Sequence, residues 1–289
     1  MMMILFNSEK MKRFFFCILV FTITLCKAQE PKDYSCNPYV KYSVDSTHGQ
    51  YKISYTFQDN FNLYRTFTWY YDIAQTKKDI ARFGVPVSYY ENISSHDTMG
   101  KQRKQMIKHG FFMQSGQYLK PDRSAVISFY KPYCKAIAGG ITNLLIEENR
   151  NSRINRIKMA ISFVQDIPYG VPEIKDSTWE VYGLFTPPEL LLKMFGDCDS
   201  KAILLSCILS YLINTNDILL LYQGHNHALV AIKGEPSPQQ KYIEIENKKF
   251  IIADVTGPLK LAWGDDGDKF DSAVGYKVEK LRVRSYWFR

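Results

Sequence analysis

The chain has 289 residues, of which 46% are hydrophobic and 15% aromatic, and its formal net charge is +8 at pH 7. That apolar content supplies a substantial core for one large domain or two smaller ones, and it excludes a disordered or low-complexity chain. The basic residues form no dense stripe with interleaved aromatic residues, so nucleic acid is not an expected partner.

Residues 1–28 have the pattern of a secretory signal peptide. A basic cluster at 10–13 precedes an apolar run at 14–25, and small residues follow at 26–28, where a signal peptidase would cleave. The apolar run is shorter than the ~20 residues that span a membrane, so membrane association is expected only through an uncleaved signal. We therefore predict an exported protein, periplasmic or secreted.

Four cysteines remain after the predicted signal, namely Cys36, Cys134, Cys198 and Cys207. An exported protein allows a Cys36–Cys134 disulfide, although spacing alone does not determine the pairing. The chain has neither a CxxC motif nor a four-ligand zinc spacing, so no cofactor is expected.

Strand signals come first in the remaining chain, and helix signals follow. The predicted elements are a β-hairpin over 38–58 that 61–71 extends, and helices over 72–83, 99–109 and 124–147. The last of these helices is expected to be interrupted at Gly139-Gly140, because glycine weakens a helix interior. Residues 29–145 are predicted to form an accessory region, either a structural support or a substrate-binding module.

Residues 146–289 show helices followed by strands, which is typical of an α+β fold. The predicted helices cover 152–166, a segment from Pro187 to Gly196, and an almost wholly apolar segment that begins at Cys198. Thr186 is expected to cap the second helix, with Glu189 completing a capping box, and Asp197 is expected to cap the third. The predicted antiparallel strands are 218–222, 227–232, 241–246 and 248–256.

Cys198 has surroundings that differ from those of a core cysteine. It lies in the stretch FGDCDSKAILLSCILS, where the positive end of a helix dipole lowers a thiol pKa. Asp197 and Asp199 act in the opposite direction, so a thiolate here needs a base or a cation nearby. Cys207 lies in the apolar middle of the same helix, where core packing is favoured.

Two histidines and one aspartate are candidates for the base that acts on Cys198 and for the group that orients this base. His227 begins a predicted strand, so it would be held more rigidly than His225 in the preceding loop, which is the alternative base. The two histidines could also share a metal, although an HxH pair without a third ligand is weak evidence for one. Asp254 interrupts the apolar run FIIADV, where a carboxylate requires a partner such as a histidine. The alternative for Asp254 is a turn cap near 256–257.

Five short segments, in this order, resemble transglutaminase-like proteins, most closely the bacterial transglutaminase-like cysteine proteinases. The resemblance covers about residues 150–260. The matching segments are FVQDIPY (163–169), PEL (188–190), GDCDSKA (196–202), HALV (227–230) and IADVT (252–256).

The resemblance implies a papain-like core with a helix-borne cysteine packed on an antiparallel sheet. It implies Cys198 as the nucleophile, His227 as the general base and acid, and Asp254 as the residue that orients the imidazole. The backbone N–H of Cys198 and one further donor would hold the oxyanion; Gln165 is the candidate, with Tyr169 and Trp179 as rivals.

One position departs from the pattern of the family. Many relatives have a second acid two residues after the cysteine, where this chain has Ser200. Some relatives bind calcium with acids around the cysteine, which makes Asp197 and Asp199 weak calcium candidates.

The expected function is that of an exported thiol hydrolase, a cysteine peptidase or amidase, whose catalytic domain is 146–289. Its substrate would be a protein or peptide, attacked through an acyl-enzyme at Cys198. Two alternatives stay open. One is amine transfer to protein glutamine, as in true transglutaminases, and the other is a non-catalytic domain that keeps the fold for binding or scaffolding.

Overall fold

The computed structural model describes residues 36–83, 85–86, 107, 110–115, 118–172, 179–180, 184–223, 227–267 and 275–282. The predicted signal peptide and almost all of the predicted helix at 99–109 lie outside these residues. Within the described part, no helix is both long enough and apolar enough to cross a membrane.

The described elements are strands and helices in mixed order, with short 3-10 helices at Lys131–Cys134 and Thr215–Asp217. The strands are β1 (Lys41–Thr47), β2 (Gln50–Gln58), β3 (Tyr64–Asp72), β4 (Val85–Pro86), β5 (Phe112–Ser115), β6 (Tyr118–Pro121), β7 (Trp179–Glu180), β8 (Ile218–Gln223), β9 (His227–Lys233), β10 (Tyr242–Ile245), β11 (Lys248–Ala253) and β12 (Lys277–Lys280). The helices are α1 (Ile73–Ile80), α2 (Arg123–Tyr130), α3 (Lys135–Glu147), α4 (Arg153–Gln165), α5 (Pro187–Lys193) and α6 (Cys198–Leu212).

Strands β1, β2 and β3 form an antiparallel sheet in chain order, which confirms the predicted hairpin and its extension. The tight turn between β1 and β2 has positive φ at both His48 and Gly49, the backbone conformation that two-residue hairpin loops require. Asp72 then caps α1 by accepting a hydrogen bond from the backbone N–H of Gln75. The chain thus passes from strand to helix at Asp72, where the sequence pattern changes from that of a strand to that of a helix.

The prediction for the break within 124–147 was wrong in its position. The helix is interrupted at the 3-10 segment Lys131–Cys134, because Pro132 lacks the N–H that would continue α2. Gly139 and Gly140 both lie inside α3. At Gly140 a Cβ would make ordinary van der Waals contact with the Phe67 ring of β3, at 3.5 Å, so this position does not require a break in the helix.

One hydrophobic core crosses the predicted boundary between 29–145 and 146–289. Phe163 of α4 packs edge-on against Tyr55 and Phe57 of β2, with ring centroids 5.0 and 5.2 Å apart. The Tyr55 hydroxyl donates to the Phe163 carbonyl, so its buried polar atom is satisfied. The boundary itself stays a prediction, and the described residues on both sides of it belong to one compact unit.

The second large sheet is antiparallel and has the order β10-β11-β9-β8-β12. Its strands alternate their side chains between two apolar faces. Leu220 and Val230 pack into the core that contains α6, whereas Leu219 and Leu229 pack into a second cluster on the other face. The described chain therefore has an α+β fold in which α6 lies against β9, and this packing brings the start of the helix near the start of the strand.

Candidate active site

The approach to Cys198 is shaped by close packing around Gly196. Met194 adopts the left-handed conformation (φ 52°) that ends α5, two residues before the predicted end. A Cβ at Gly196 would lie 2.7 Å from the Cδ1 atom of Leu190, so a larger residue would displace the core. The capping box predicted for α5 is absent, since Thr186 caps through its backbone alone and Glu189 pairs with Lys193 at 3.3 Å.

Asp197 and Cys198 occupy the positions that the sequence predicted. The Asp197 carboxylate accepts a hydrogen bond of 2.9 Å from the backbone N–H of Ser200, and Cys198 is the first residue of α6. The backbone N–H groups of a first helical turn have no partners within the helix. Cys198 therefore presents its partly exposed side chain at a place where an anion is favoured.

His227 and Asp254 are brought together by the pairing of β9 with β11. The Nε2 atom of His227 lies 3.2 Å from Oδ2 of Asp254, and Cys198 lies close enough to the His227 ring to raise its pKa. Nδ1 is the ring nitrogen that this arrangement leaves for the thiol. The structure thus places Cys198, His227 and Asp254 side by side in one series, with a hydrogen bond between His227 and Asp254.

Asp254 lies one residue beyond β11, not inside the strand as predicted, because β11 ends at Ala253. Its carboxylate is nonetheless buried, and its oxygens serve both roles that the sequence left open. Oδ2 faces His227, while Oδ1 accepts a hydrogen bond of 2.8 Å from the backbone N–H of Thr256. The turn therefore holds the carboxylate in place for the histidine.

The charges of this series follow from its contacts. The hydrogen bond to Asp254 and then the contact with Cys198 raise the pKa of His227 to about 9, although burial opposes the change. Burial alone would raise the pKa of Asp254, but hydrogen bonds from His227 and Thr256 lower it overall. At neutral pH the imidazole is therefore protonated beside an ionised Asp254, which is the state that stabilises a thiolate.

The two acids next to Cys198 are each restrained by a partner. Burial raises the pKa of Asp197 to about 6, against the hydrogen bonds from Ser200. Burial also raises the pKa of Asp199, and an Arg123 Nη2 atom 3.2 Å from Oδ1 opposes that effect. These contacts account for one oxygen of each carboxylate. Among the described residues, no group of three or more His, Cys, Asp or Glu side chains is arranged to hold a metal.

Gln165 does not have the position of an oxyanion donor, so that prediction is corrected. Its side-chain amide donates to the carbonyls of Asp254 at 2.8 Å and Leu261 at 2.9 Å. Both amide hydrogens are thus used, and the residue is buried. Tyr169 pairs with Gly196 in an isolated β-bridge, two residues before the nucleophile, and the charge of Cys198 contributes to raising the pKa of the Tyr169 hydroxyl. His225 and the side chain of Trp179 lie outside the described residues.

Lys201 is a residue that the sequence reasoning did not single out. It is fully buried in α6, and its Nζ atom donates to the carbonyls of Ile167 at 2.5 Å and Thr256 at 2.7 Å. A third and longer contact of 3.4 Å reaches the carbonyl of Gln165. Through these hydrogen bonds, Lys201 and Gln165 connect α6, the end of α4 and the turn after β11. Cys198 lies on α6, and Asp254 lies in that turn. The sequence signal that points to Lys201 is a charged residue within an almost wholly apolar helix, because a lysine is rarely buried without partners.

The predicted Cys36–Cys134 disulfide is contradicted, because the described cysteines are free thiols. Cys36 is exposed, whereas Cys134 is buried in the core, where it contacts Cys207. Cys207 is fully buried, as predicted, and burial raises the pKa of its thiol well above the usual value. Cys198 therefore differs from Cys207 in both exposure and neighbours.

Comparisons with family models and with curated proteins find no match to this chain. The resemblance to transglutaminase-like proteins therefore stays a hypothesis, and it enters the proposal below together with the geometry of the site.

Proposed function

We propose that this protein is a thiol hydrolase with a transglutaminase-like, papain-type core, acting on peptide or isopeptide bonds through an acyl-enzyme at Cys198. The observation that carries the proposal is the series formed by Cys198, His227 and Asp254, with His227 Nε2 3.2 Å from the carboxylate. A buried carboxylate that orients a histidine beside a helix-start cysteine is the arrangement expected of an activated nucleophile.

The first half-reaction follows from these positions. The Cys198 thiolate attacks the carbonyl carbon, and the negative charge moves to the carbonyl oxygen near the first turn of α6. The protonated His227 then donates its proton to the leaving amine as the C–N bond breaks. Asp254 keeps the ring oriented and stabilises its positive charge, as its 3.2 Å contact with Nε2 supports.

The second half-reaction releases the acyl group. Neutral His227 accepts a proton from water as the water oxygen attacks the thioester, and the thiolate is restored. A primary amine in place of water would give transfer instead of hydrolysis, with the same residues in the same roles. We propose water as the acceptor, because water is the default acceptor wherever a site does not exclude it. The signal pattern of residues 1–28 supports export.

Alkylation with iodoacetamide, followed by peptide mass spectrometry, tests the proposal. Cys198 should react at pH 6, where an ordinary free thiol is almost entirely protonated, and exposed Cys36 provides the internal comparison. The variant His227→Gln should bring the pH dependence of Cys198 back to that of Cys36. Equal pH dependence of Cys198 and Cys36 in the native protein would instead support the non-catalytic alternative.

A substrate screen provides the second measurement. A peptide library or a set of isopeptide-linked model substrates is incubated with the protein and with Cys198→Ala, and products are identified by mass spectrometry. Cleavage only by the native protein supports hydrolysis. Adding a labelled primary amine separates transfer from hydrolysis, since incorporation of the label would favour the transglutaminase alternative.

A further inference from the structure

The ion pair between Arg123 and Asp199 links the predicted accessory region to the nucleophile. Arg123 is the first residue of α2, far from Cys198 in the sequence, and its Nη2 atom lies 3.2 Å from Asp199 Oδ1. Asp199 directly follows Cys198 in the first turn of α6. A carboxylate at this place would disfavour a thiolate unless a cation balanced it.

The guanidinium of Arg123 is held from three sides. Besides Asp199, it lies 3.8 Å from the centroid of the Tyr222 ring and 3.5 Å from Glu279 Oε1. Only 16% of the Arg123 side chain is exposed, so water screens these interactions weakly. The cation therefore has a fixed position and a low-dielectric setting, in which its field acts strongly on nearby charges.

We propose that Arg123 is a positioning residue for the nucleophile: it holds Asp199 in a neutral ion pair, so that the first turn of α6 accommodates the Cys198 thiolate. The inference rests on the proposed function, and it assigns the region 29–145 a part in the site. That region would support catalysis electrostatically, in addition to packing on the core.

The other charged or titratable groups around the thiol are arranged on several elements. They are Tyr169 in the segment after α4, Tyr222 on β8, His227 on β9, and Asp197, Asp199 and Lys201 on α6. His227 is the main cation that faces Cys198. Asp199 is paired with Arg123, which comes from the predicted accessory region. This ion pair can therefore be altered without changing the His227–Asp254 contact.

The test measures the pH dependence of Cys198 alkylation in four forms of the full chain: native, Arg123→Gln, Asp199→Asn and the double variant. Arg123→Gln leaves Asp199 unbalanced, so the midpoint should rise by about one pH unit. Asp199→Asn removes the negative charge beside the thiolate while Arg123 keeps its contact with Glu279, so the midpoint should fall by a similar amount. The double variant should return close to the native midpoint.

A purely structural role predicts a different result. Arg65→Gln is the matched control, because Arg65 pairs with Asp59 at 2.7 Å and is 15% exposed, yet it lies on β3 away from Cys198. Arg65→Gln should lower the melting temperature without moving the midpoint. If Arg123→Gln and Asp199→Asn behaved like this control, or shifted the midpoint in the same direction, the inference would be overturned.

Three further outcomes are distinguished by the design. If Arg123→Gln does not fold, Arg123→Met, which keeps the apolar packing of the side chain on Tyr222, takes its place, and its midpoint must rise for the inference to hold. If native Cys198 titrates like the exposed thiol of Cys36, the proposed function fails regardless of the variants. A low native midpoint with unchanged variants would remove only the role of Arg123.

Discussion

The Nε2 atom of His227 lies 3.2 Å from Oδ2 of Asp254, and this contact joins the first residue of β9 to the residue just after β11. The two side chains are 27 positions apart in the sequence, and the antiparallel pairing of their strands determines their proximity. Because Asp254 is buried and also accepts the Thr256 N–H, its orientation is set before any substrate binds.

Replacing Asp254 by Asn should remove the charge while keeping the shape. The His227 ring would lose its main stabilising partner, so its pKa should fall from about 9 toward 6.5. We expect hydrolysis at neutral pH to fall by about 10²- to 10⁴-fold, as for other orienting carboxylates. NMR titration of the His227 ring and rates from the substrate screen measure the two effects. An unchanged titration in Asp254→Asn would contradict the assignment of Asp254.

The same pKa shift predicts how stability depends on pH. The folded pKa of His227, about 9, lies above its ordinary value of 6.5, so folding binds a proton between these values. The stabilisation is fully present below pH 6.5 and is lost as the pH rises through 9. The free energy of unfolding should therefore decrease over this interval by about 1–3 kcal/mol. Urea unfolding at a series of pH values measures it, and His227→Gln, as the control, should flatten the slope.

Lys201 and Gln165 should behave as structural anchors. Lys201→Met keeps the volume but leaves carbonyls of Ile167 and Thr256 without their buried donor, so we expect a loss of about 2–4 kcal/mol. Gln165→Leu should also destabilise the fold, by about 1–3 kcal/mol, because it removes two buried hydrogen bonds. Urea unfolding of both variants gives the values.

The same variants separate the two roles considered for Gln165. An oxyanion donor would lower the turnover rate and leave stability unchanged, whereas an anchor changes stability first. Leu205→Ala, also in the buried part of α6, is the matched control for a loss of stability that has no contact with the site. A Gln165→Leu protein with native stability and a greatly reduced turnover rate would restore the original oxyanion prediction.

Gly257 should tolerate substitution far less well than Gly49. Both residues have positive φ, but a Cβ at Gly257 would lie 2.2 Å from the backbone oxygen of Gln165, and a Cβ at Gly49 would meet nothing within 4 Å. Gly49→Ala should thus lose only about 1 kcal/mol from backbone strain. Gly257→Ala should lose about 3 kcal/mol or more, because the clash is with backbone behind the site. Comparable melting temperatures for the two variants would argue against this packing.

Local patterns were sufficient for several elements of the site. The cap at Asp197 and the helix start at Cys198 depend on neighbouring residues only, and the structure places both as predicted. The strand start at His227 is also a local property, since the apolar run HALVAI begins there. Pro132 also indicates the position of the break within 124–147. Proline removes a helix hydrogen bond, whereas glycine only weakens a helix.

The sequence by itself therefore determined the α+β order of elements, the signal pattern of residues 1–28 and the three residues proposed for catalysis. Only the tertiary structure showed that Arg123 forms an ion pair with Asp199, that Lys201 contacts three carbonyls, and that the Gln165 amide already donates to two carbonyls. The physical reason is the range of the interactions. Caps and periodicity act over a few residues, whereas charge balance and buried hydrogen bonds depend on which distant segments the core brings into contact.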